Sequence, residues 1–464
     1  MTTTYDVGPT QRAGTPVRRR ADAVTAICWA RATIVAGLWL AGGNLADLRG
    51  THGAVLESLG RLAGLIAADL LLMQVLLMAR IPAIERHYGQ DELARRHRWV
   101  GFASVNLLLA HVGLITVGYA LTDNSGIPAE AWSLLTTYPG MLLATASTAL
   151  LILVAVTSIR VARRKLRYES WHLLHLYAYL GVGLSVPHEI WTGSDFASSG
   201  LARMYWWGSY ALAAGAVVGY RVGLPVARNL RHNLRVAEVV AENAHVVTVR
   251  MTGHALDRLP VDAGQFFVFR FLDGPGWTRG NPYSLSAAPD ATGIRITVKD
   301  LGDGSGRLGR LQPGTRVLIE GPYGRLTGSR RTRARLVLLA CGIGVTPMRA
   351  LLEELPYLPG EATLIYRAGS AADLILKTEL DELAARRGVT VHYLPGPRVP
   401  DRDSWLPAEA GHWPDPQALL HLAPHLLDSD VYVCGPLPWM DSVRTAATAA
   451  GLPPHRLHEE RFAW

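Results

Sequence analysis

Six apolar segments fill the first half of this chain, at about 23–43, 60–79, 99–121, 139–159, 171–190 and 203–223. Each is near the ~20 residues a helix needs to cross the hydrocarbon of a bilayer. Two of them carry paired histidines. His97 and His111 lie 14 residues apart, and His175 and His188 lie 13 apart. An ionisable residue in such a segment is expensive, and it usually faces a bundle interior and has a function. Four at these spacings suggest two haems clamped between two helices.

Helix geometry supports the first pair. At ~1.5 Å per residue, 14 residues climb ~21 Å and return close to the same face. The second pair fits less well, since 13 residues leave two side chains about 140° apart on a straight helix. Pro187 precedes His188, with Gly181 and Gly183 just behind. A bend or helix end there would re-aim His188. The competing reading is four core histidines with hydrogen-bond partners.

Charge sets the expected orientation. Arg80, Arg86, Arg95, Arg96 and Arg98 lie between the second and third segments. Arg160, Arg163, Arg164, Lys165 and Arg167 lie between the fourth and fifth, and Arg221, Arg228, Arg231 and Arg235 follow the sixth. The alternate loops, 122–138 and 191–202, contain no Lys or Arg. The positive-inside rule then makes this a multi-pass cell-membrane protein with both termini cytoplasmic. His97 and His175 fall at the inner level, and His111 and His188 at the outer. Bis-imidazole ligation fills both axial positions, which suits electron transfer. Arg31 interrupts the first segment, so it either snorkels or the span starts later. Asp69 and Gln74 face the bundle in a proton path, against a cofactor, or in an interhelical hydrogen bond. Trp132, Tyr138, Trp191, Tyr205 and Trp206 read as interfacial anchors. Residues 1–20 are polar and expected to be disordered. The first apolar run follows Arg18–Arg20 without a small-residue cleavage site, so it is not a cleaved signal peptide.

The overall 49% hydrophobic content hides a split, because the second half reads as soluble α/β protein. Cys28, Cys341 and Cys434 are the only cysteines, which excludes a disulfide framework or a CxxC metal site. After a basic linker, short β-rich runs at 235–240, 245–250, 265–271, 293–299 and 316–320 suggest an antiparallel barrel. Within it, Asn281-Pro282-Tyr283-Ser284 offers an aromatic and a hydroxyl that would stack on and hydrogen-bond a flavin. Lys299, Gly302 and Ser305 form a glycine-rich turn able to hold a pyrophosphate, with helical residues 306–311 beside it. Gly321–Gly324 reads as a turn closing the barrel. From 335 the pattern becomes β-α-β. Gly342-Ile343-Gly344-Val345-Thr346-Pro347 sits between strand and helix, where a backbone can approach a phosphate. Arg367, at the end of the next strand, is placed to read a 2′-phosphate and favour NADPH over NADH. Residues 395–418 read as a long loop. Cys434-Gly435-Pro436 ends a further strand.

Together these residues resemble the ferric reductase/NADPH oxidase superfamily over about 60–464. The histidine spacings are similar to its haem-ligand pattern, and the run Tyr168–His175 looks like the approach to its fifth-helix ligand, with His172 a rival to His175. The soluble half is similar to ferredoxin–NADP reductase. The fold implied is a six-helix membrane bundle, an antiparallel FAD barrel and an α/β Rossmann-like NAD(P) domain. The corresponding divisions are 1–20, 21–225, 226–330 and 331–464. The resemblance implies that Tyr283 and Ser284 meet the flavin, and that Gly342, Gly344, Thr346 and Pro347 shape the dinucleotide site. It also implies that Cys434, Gly435 and Pro436 lie near nicotinamide. Glu460 and Phe462 look like a closing acidic–aromatic pair, although Trp464 is an alternative stacking residue. The family's arginine two residues before the tyrosine is Asn281 here, with Arg279 as the substitute.

The implied activity is electron passage from cytoplasmic NADPH or NADH, through FAD and two b-type haems, to an extracytoplasmic acceptor. Oxygen and ferric chelates both fit as the acceptor. A partner redox protein or a quinone is a rival. A haem-free transporter with a nucleotide-sensing domain is a rival of another class. Nothing in the chain points to nucleic acid.

Overall fold

The computed structural model describes residues 17–163, 165–166 and 168–460. Residues 1–16, expected to be disordered, lie outside that range, as do Phe462 and Trp464. The chain divides into two compact units, Met1–Val222 and Gly223–Trp464.

The first unit is helical. Its long helices are α1 (Val17–Ala41), α2 (His52–Leu77), α3 (Gln90–Thr122), α4 (Ile127–Thr137), α5 (Met141–Ser158), α6 (Tyr168–Trp191) and α7 (Gly200–Ala216). Among the described residues five stretches are long and apolar enough to cross a membrane: Ala23–Ala41, His52–Leu77, Gln90–Thr122, Met141–Ser158 and Gly200–His232. α6 is a further helix of 24 residues, carrying three histidines and Glu189. It runs through Pro187 without ending there.

Small residues set the packing of α2 on α3. A Cβ on Gly60 would lie 2.9 Å from the Ile115 side chain, and one on Gly53 would lie 2.4 Å from Thr122 Oγ1. Without hydrophobic drive inside lipid, close backbone approach of this kind is what holds helices together. Between α5 and α6, Ser147 donates to the Gly181 carbonyl at 2.7 Å.

Arg31 neither snorkels nor marks a late start. It pairs with Asp69 and donates to Ser209 at 3.2 Å, while Tyr205 donates to Asp69 at 2.6 Å. Asp69 is therefore committed to an interhelical ion pair, and Gln74 donates to Ser104 at 2.7 Å. Tyr205 and Trp206 are not anchors either: Trp206 is 2% exposed and stacks on Phe196. Trp132 and Trp191 do stay exposed.

The second unit opens with α8 (Leu224–His232) and then builds two kinds of sheet. Strands β1 (Arg235–Asn243), β2 (Val246–Thr252) and β5 (Ile294–Lys299) form one antiparallel sheet, in the order β1-β2-β5. Strands β3 (Phe266–Phe271), β4 (Asn281–Ser284) and β6 (Val317–Tyr323) form another, ordered β4-β3-β6. The expected closed barrel is thus two three-stranded sheets over one core of Phe267, Phe269, Leu285, Ile296 and Ile319. Single bridges, Arg235 to Arg316 and Leu285 to Ile296, join them. Gly321–Tyr323 is the end of β6, paired with Phe266, and not a turn.

The remaining strands are parallel: β7 (Arg335–Cys341), β8 (Ala362–Ala368), β9 (Thr390–Pro395), β10 (Ser429–Cys434) and β11 (Leu457–Glu459), ordered β11-β10-β7-β8-β9. Alternate residues of β7 enter opposite layers. Leu336, Leu338 and Ala340 pack with α9 (Val345–Glu354) and α10 (Lys377–Arg387). Val337 and Leu339 pack with α11 (Asp415–Leu422), α12 (Leu437–Ala449) and Trp405. The supposed loop 395–418 is therefore pinned by a fully buried Trp405, whose carbonyl accepts from Trp439 at 3.0 Å, and α11 starts inside it.

Candidate redox site

In the helical unit the four histidines meet in pairs. The ring opposite His97 is that of His175, with centroids 5.8 Å apart, and His111 faces His188 at 6.4 Å. A metal–imidazole distance of about 2.0–2.1 Å on both sides of one iron puts ring centres about 6 Å apart. Both pairs have that separation, so the residues present fit a bis-imidazole iron. Three of the four Nδ1 atoms have a hydrogen-bond partner. His111 Nδ1 bonds the Gly60 carbonyl at 2.8 Å, His188 Nδ1 bonds Thr192 Oγ1 at 2.6 Å, and His175 Nδ1 meets Ser158 Oγ at 3.2 Å. Partners of this kind fix the tautomer of a metal-binding histidine and leave Nε2 as the ligand. His97 Nδ1 is buried beside the Gln74 backbone without a well-directed bond. Helix α3 supplies His97 and His111, and α6 supplies His175 and His188, so the two levels are ~21 Å apart by helical rise.

In the second unit, Tyr283 and Ser284 sit on β4 opposite Phe267 and Phe266. The Tyr283 ring lies 6.2 Å from Phe269. Burial pushes its phenol up to about 12, against an opposing effect of Arg307, so the hydroxyl stays a donor at neutral pH. Asn281 lies beside Gly304, whose Cβ would sit 3.3 Å from its Oδ1, which joins β4 to the glycine-rich turn. That turn is a single helical turn, Asp303–Gly306, followed by a 3-10 turn, Arg307–Arg310; it starts earlier than the helix expected at 306–311. Asp300 Oδ1 accepts from Gly302 N at 3.0 Å, and Ser305 Oγ accepts from Leu301 N at 2.8 Å. Ser305 therefore shapes the turn. Lys299 ends β5 and is exposed, as is Arg279 in the loop before β4. Glu460 accepts from Arg325 N at 2.8 Å, which ties the end of the described chain to the segment after β6.

At the head of the parallel sheet, Gly342–Gly344 forms a 3-10 turn leading into α9. A Cβ on Gly344 would lie 2.2 Å from the Cys434 carbonyl, so only glycine lets this turn pass the end of β10. Gly342, with φ of +56°, has nothing within 4 Å of its would-be Cβ and leaves space for a ligand. Thr346 donates back to the Ile343 carbonyl at 2.9 Å, and Pro347 is buried, so both shape the turn from within. Strand order reverses between β7 and β10, the place where open parallel sheets bind ligands at their carboxyl ends. Gly435 and Pro436 follow β10 there, with Gly435 packed against Cys341 and Trp439. Burial pushes the Cys434 thiol up to about 12, and Glu460 and Cys341 push the same way. Burial likewise pushes Cys341 up to about 11. Both are neutral thiols at pH 7, and neither has the thiolate character of a nucleophile.

Arg367 lines the cavity at the strand ends but is not a free cation there. It is 5% exposed, and it donates to the carbonyls of Ala368, Leu394 (3.2 Å) and Pro397 (2.9 Å). It holds the loop after β9 in place instead. That loop borders a cavity of about 720 Å³ at the strand ends, lined by Cys341, Gly369, Arg398 and Trp439 among others. Arg402, also at the cavity, is committed to Asp415 and two carbonyls. Arg398 is exposed there and makes no hydrogen bond or ion pair among the described residues. Residue pattern hides it because β9 mixes polar and apolar residues; Gly396-Pro397 is the available signal.

Comparison with known proteins agrees with this division. Residues 63–186 match the ferric reductase like transmembrane component family, and residues 338–445 match the oxidoreductase NAD-binding domain family. Over 242 residues the chain is 31% identical to a 3-ketosteroid-9-alpha-monooxygenase ferredoxin reductase component of Mycolicibacterium smegmatis, covering 49% of this chain and 65% of that one. Over 327 residues it is 29% identical to the ferredoxin–NAD(+) reductase component of an alkene monooxygenase system of Xanthobacter autotrophicus, covering 62% of this chain and 94% of that protein. The chain spans less than two thirds of the length of the first of these relatives. A solved flavohem-like FAD/NAD binding domain of a nitric oxide dioxygenase from Vibrio cholerae is similar at 25% identity and a TM-score of 0.40, covering 50% of this chain and 99% of that one.

Proposed function

We propose that this chain, which pairs the transmembrane domain and the FAD/NAD reductase module of the ferric reductase/NADPH oxidase superfamily, is a transmembrane NAD(P)H oxidoreductase delivering electrons to an extracytoplasmic acceptor. The observation that carries this reading is the pair of facing imidazoles at each of two levels, 5.8 and 6.4 Å between ring centres. When bound, FAD would supply hydride acceptance and single-electron release, and two b-type haems would supply one-electron carriage.

The chain's own residues do the positioning. His97 with His175, and His111 with His188, would hold the two irons through their imidazoles. The Gly60 carbonyl, Thr192 and Ser158 hold three of those rings in one tautomer. Tyr283 and Ser284 would hold the flavin ring with an aromatic face and hydroxyls, and Asn281, Lys299 and the backbone from Gly302 would hold its pyrophosphate. Gly342, Gly344 and the start of α9 receive the dinucleotide phosphates. Cys434, Gly435 and Pro436 would border the nicotinamide. Arg398 is the cation at the ribose end, which favours NADPH. The arginine-rich loops support an orientation with both termini in the cytoplasm, and the proposed acceptor is oxygen or ferric iron. The relatives named as reductase components of monooxygenase systems support a second reading, delivery to a partner protein.

The test is haem content. Purified protein is expected to carry two haems per chain, and His111→Ala or His188→Ala one. A haem-free protein that still binds FAD would overturn the membrane part of the proposal. Oxygen-consumption and ferrous-chelator assays, run side by side, separate the acceptors.

A further inference from the structure

Within the second unit, the antiparallel sheets meet the parallel sheet and its helices along a seam with two kinds of contact. One is apolar: Ala263 and Leu326 are buried in the same core as Leu351 and Leu355. The other is built of charge. Arg295, on β5, meets Glu379, on α10, through two parallel bonds, Nη1 to Oε1 and Nη2 to Oε2, both at 2.9 Å. The same carboxylate lies 2.9 Å from Nε of Arg349, on α9. Arg349 also pairs with Glu353, which accepts from Ala288 N at 2.7 Å. Burial would raise the Glu379 carboxyl, but Arg295 and Arg349 outweigh it and hold it below its ordinary value, so it is charged at neutral pH.

Each end of this network lies on a candidate cofactor site. Arg295 Nη2 donates to the Ser286 carbonyl at 2.8 Å, and its Nε donates to Ser286 Oγ at 3.2 Å. Ser286 is fully buried and follows Tyr283 and Ser284 in the same run. At the other end, Arg349 lies one turn into α9, the helix that Gly342–Gly344 opens. Ser286, Arg295, Glu379 and Arg349 thus join the candidate flavin strand to the candidate dinucleotide helix. Apolar contact keeps two layers together without fixing their angle, and interfaces of mixed character leave relative motion free. A bidentate arginine–carboxylate pair fixes direction as well as distance. Such a pair, largely removed from water, adds little net stability because its charges have lost their solvation. Geometry is therefore what this network supplies.

We propose that Arg295 and Glu379 are positioning residues for hydride transfer, holding the dinucleotide helix against the flavin strand at the separation where the two cofactor rings stack. The inference rests on the reading of this unit as an NADPH–FAD reductase, and on nothing about haem or acceptor. In the step they serve, one hydride carries both electrons of its C–H bond from NADPH to FAD, leaving oxidised nicotinamide and a flavin reduced by two electrons.

The test uses the full chain, FAD-loaded and anaerobic. Glu379→Gln keeps the size and one acceptor, and Arg295→Lys keeps the charge but loses the fork. Glu382→Gln, exposed on the same helix, is the control. A misplacement of about 1 Å costs on the order of 10²-fold in rate. The limiting rate of flavin reduction at saturating NADPH is therefore expected to fall about 10–100-fold in both variants, with the dissociation constant for NADPH nearly unchanged. Tetrahydro-NADPH, which stacks but gives no hydride, should produce a long-wavelength charge-transfer band with wild type and control and a weaker one with both variants. In ligand-free protein, hydrogen exchange at the Ala288 amide should be faster in both variants than in the control. An unchanged limiting rate and band in either variant overturns the proposal, as does a raised dissociation constant with the limiting rate intact. Failure of the reductase reading looks different: wild-type flavin would stay oxidised with NADPH and show no band, and both would fall.

Discussion

Gly64→Ala is the smallest change that should remove the outer haem. The added Cβ would lie 2.6 Å from His111 Nδ1, whereas ordinary contact begins at 3.4 Å. The ring must retreat by at least the difference, 3.4 − 2.6 = 0.8 Å. Its Nδ1 bond to the Gly60 carbonyl, now 2.8 Å, would then stretch to about 3.6 Å, which is no longer a hydrogen bond. Loss of such a partner weakens metal binding by about 10–100-fold, and the ligand itself has moved. The helix should not suffer, because alanine in place of a mid-helix glycine favours it by roughly 0.5–1 kcal/mol. A pyridine haemochrome count should fall from two per chain toward one, with anaerobic flavin reduction by NADPH unchanged. Gly37→Ala, with nothing within 4 Å, is the control and should keep both haems. Two intact low-spin haems in Gly64→Ala would refute the ligand role of His111.

Arg398→Ala should raise the KM for NADPH about tenfold, the low end for a charge-assisted contact at an exposed site, and leave that for NADH nearly unchanged; an unaltered ratio rejects the role. Asp69→Ala leaves the part-buried Arg31 guanidinium without its counter-ion and should cost up to roughly 3 kcal/mol, the low end for breaking a buried pair, read as a lower thermal midpoint in detergent. The double variant Arg31→Met with Asp69→Leu should recover most of that loss, and an unchanged midpoint in Asp69→Ala contradicts the pairing. Burial raises the pKa of Asp430, but hydrogen bonds from His458 and from the Thr332 and Arg333 amides outweigh it and hold the carboxyl below its ordinary value. A folded pKa below the unfolded one gives stability that is complete above about pH 4 and lost as acid passes through the lowered value. The gap in thermal midpoint between wild type and Asp430→Asn should therefore narrow as pH falls from 7 toward 3; a constant gap contradicts it.

Residue pattern carried some of this structure and missed other parts for identifiable reasons. The apolar segments and the histidine spacings were legible because a helix in lipid leaves few alternatives. His188 was legible from its spacing and the family resemblance and not from helix geometry, since a straight-helix estimate put it about 140° from His175, yet α6 brings it opposite His111. The Arg31–Asp69 pair was invisible because the residues are 38 apart and neither announces a partner. Strand β7 and the Gly342–Gly344 turn stood out as an apolar run followed by glycines. Strand β9 did not, because Thr390–Pro395 mixes His392 and Tyr393 among its apolar residues. That omission made Arg367 look like the free cation, when backbone carbonyls hold it and Arg398 lies at the cavity. Trp405 was read as loop because Pro and Asp surround it, although its indole fills the core.

The central claim is that electrons leave NADPH and reach imidazole-ligated iron inside the membrane unit of this same chain. Anaerobic addition of NADPH to the purified, FAD-loaded protein, followed by visible absorbance, tests it directly. The account predicts a low-spin b-type haem spectrum that converts to the reduced form with NADPH and fails to convert when FAD is removed. A protein with no haem band, or one whose haem stays oxidised while its flavin is bleached, would contradict it.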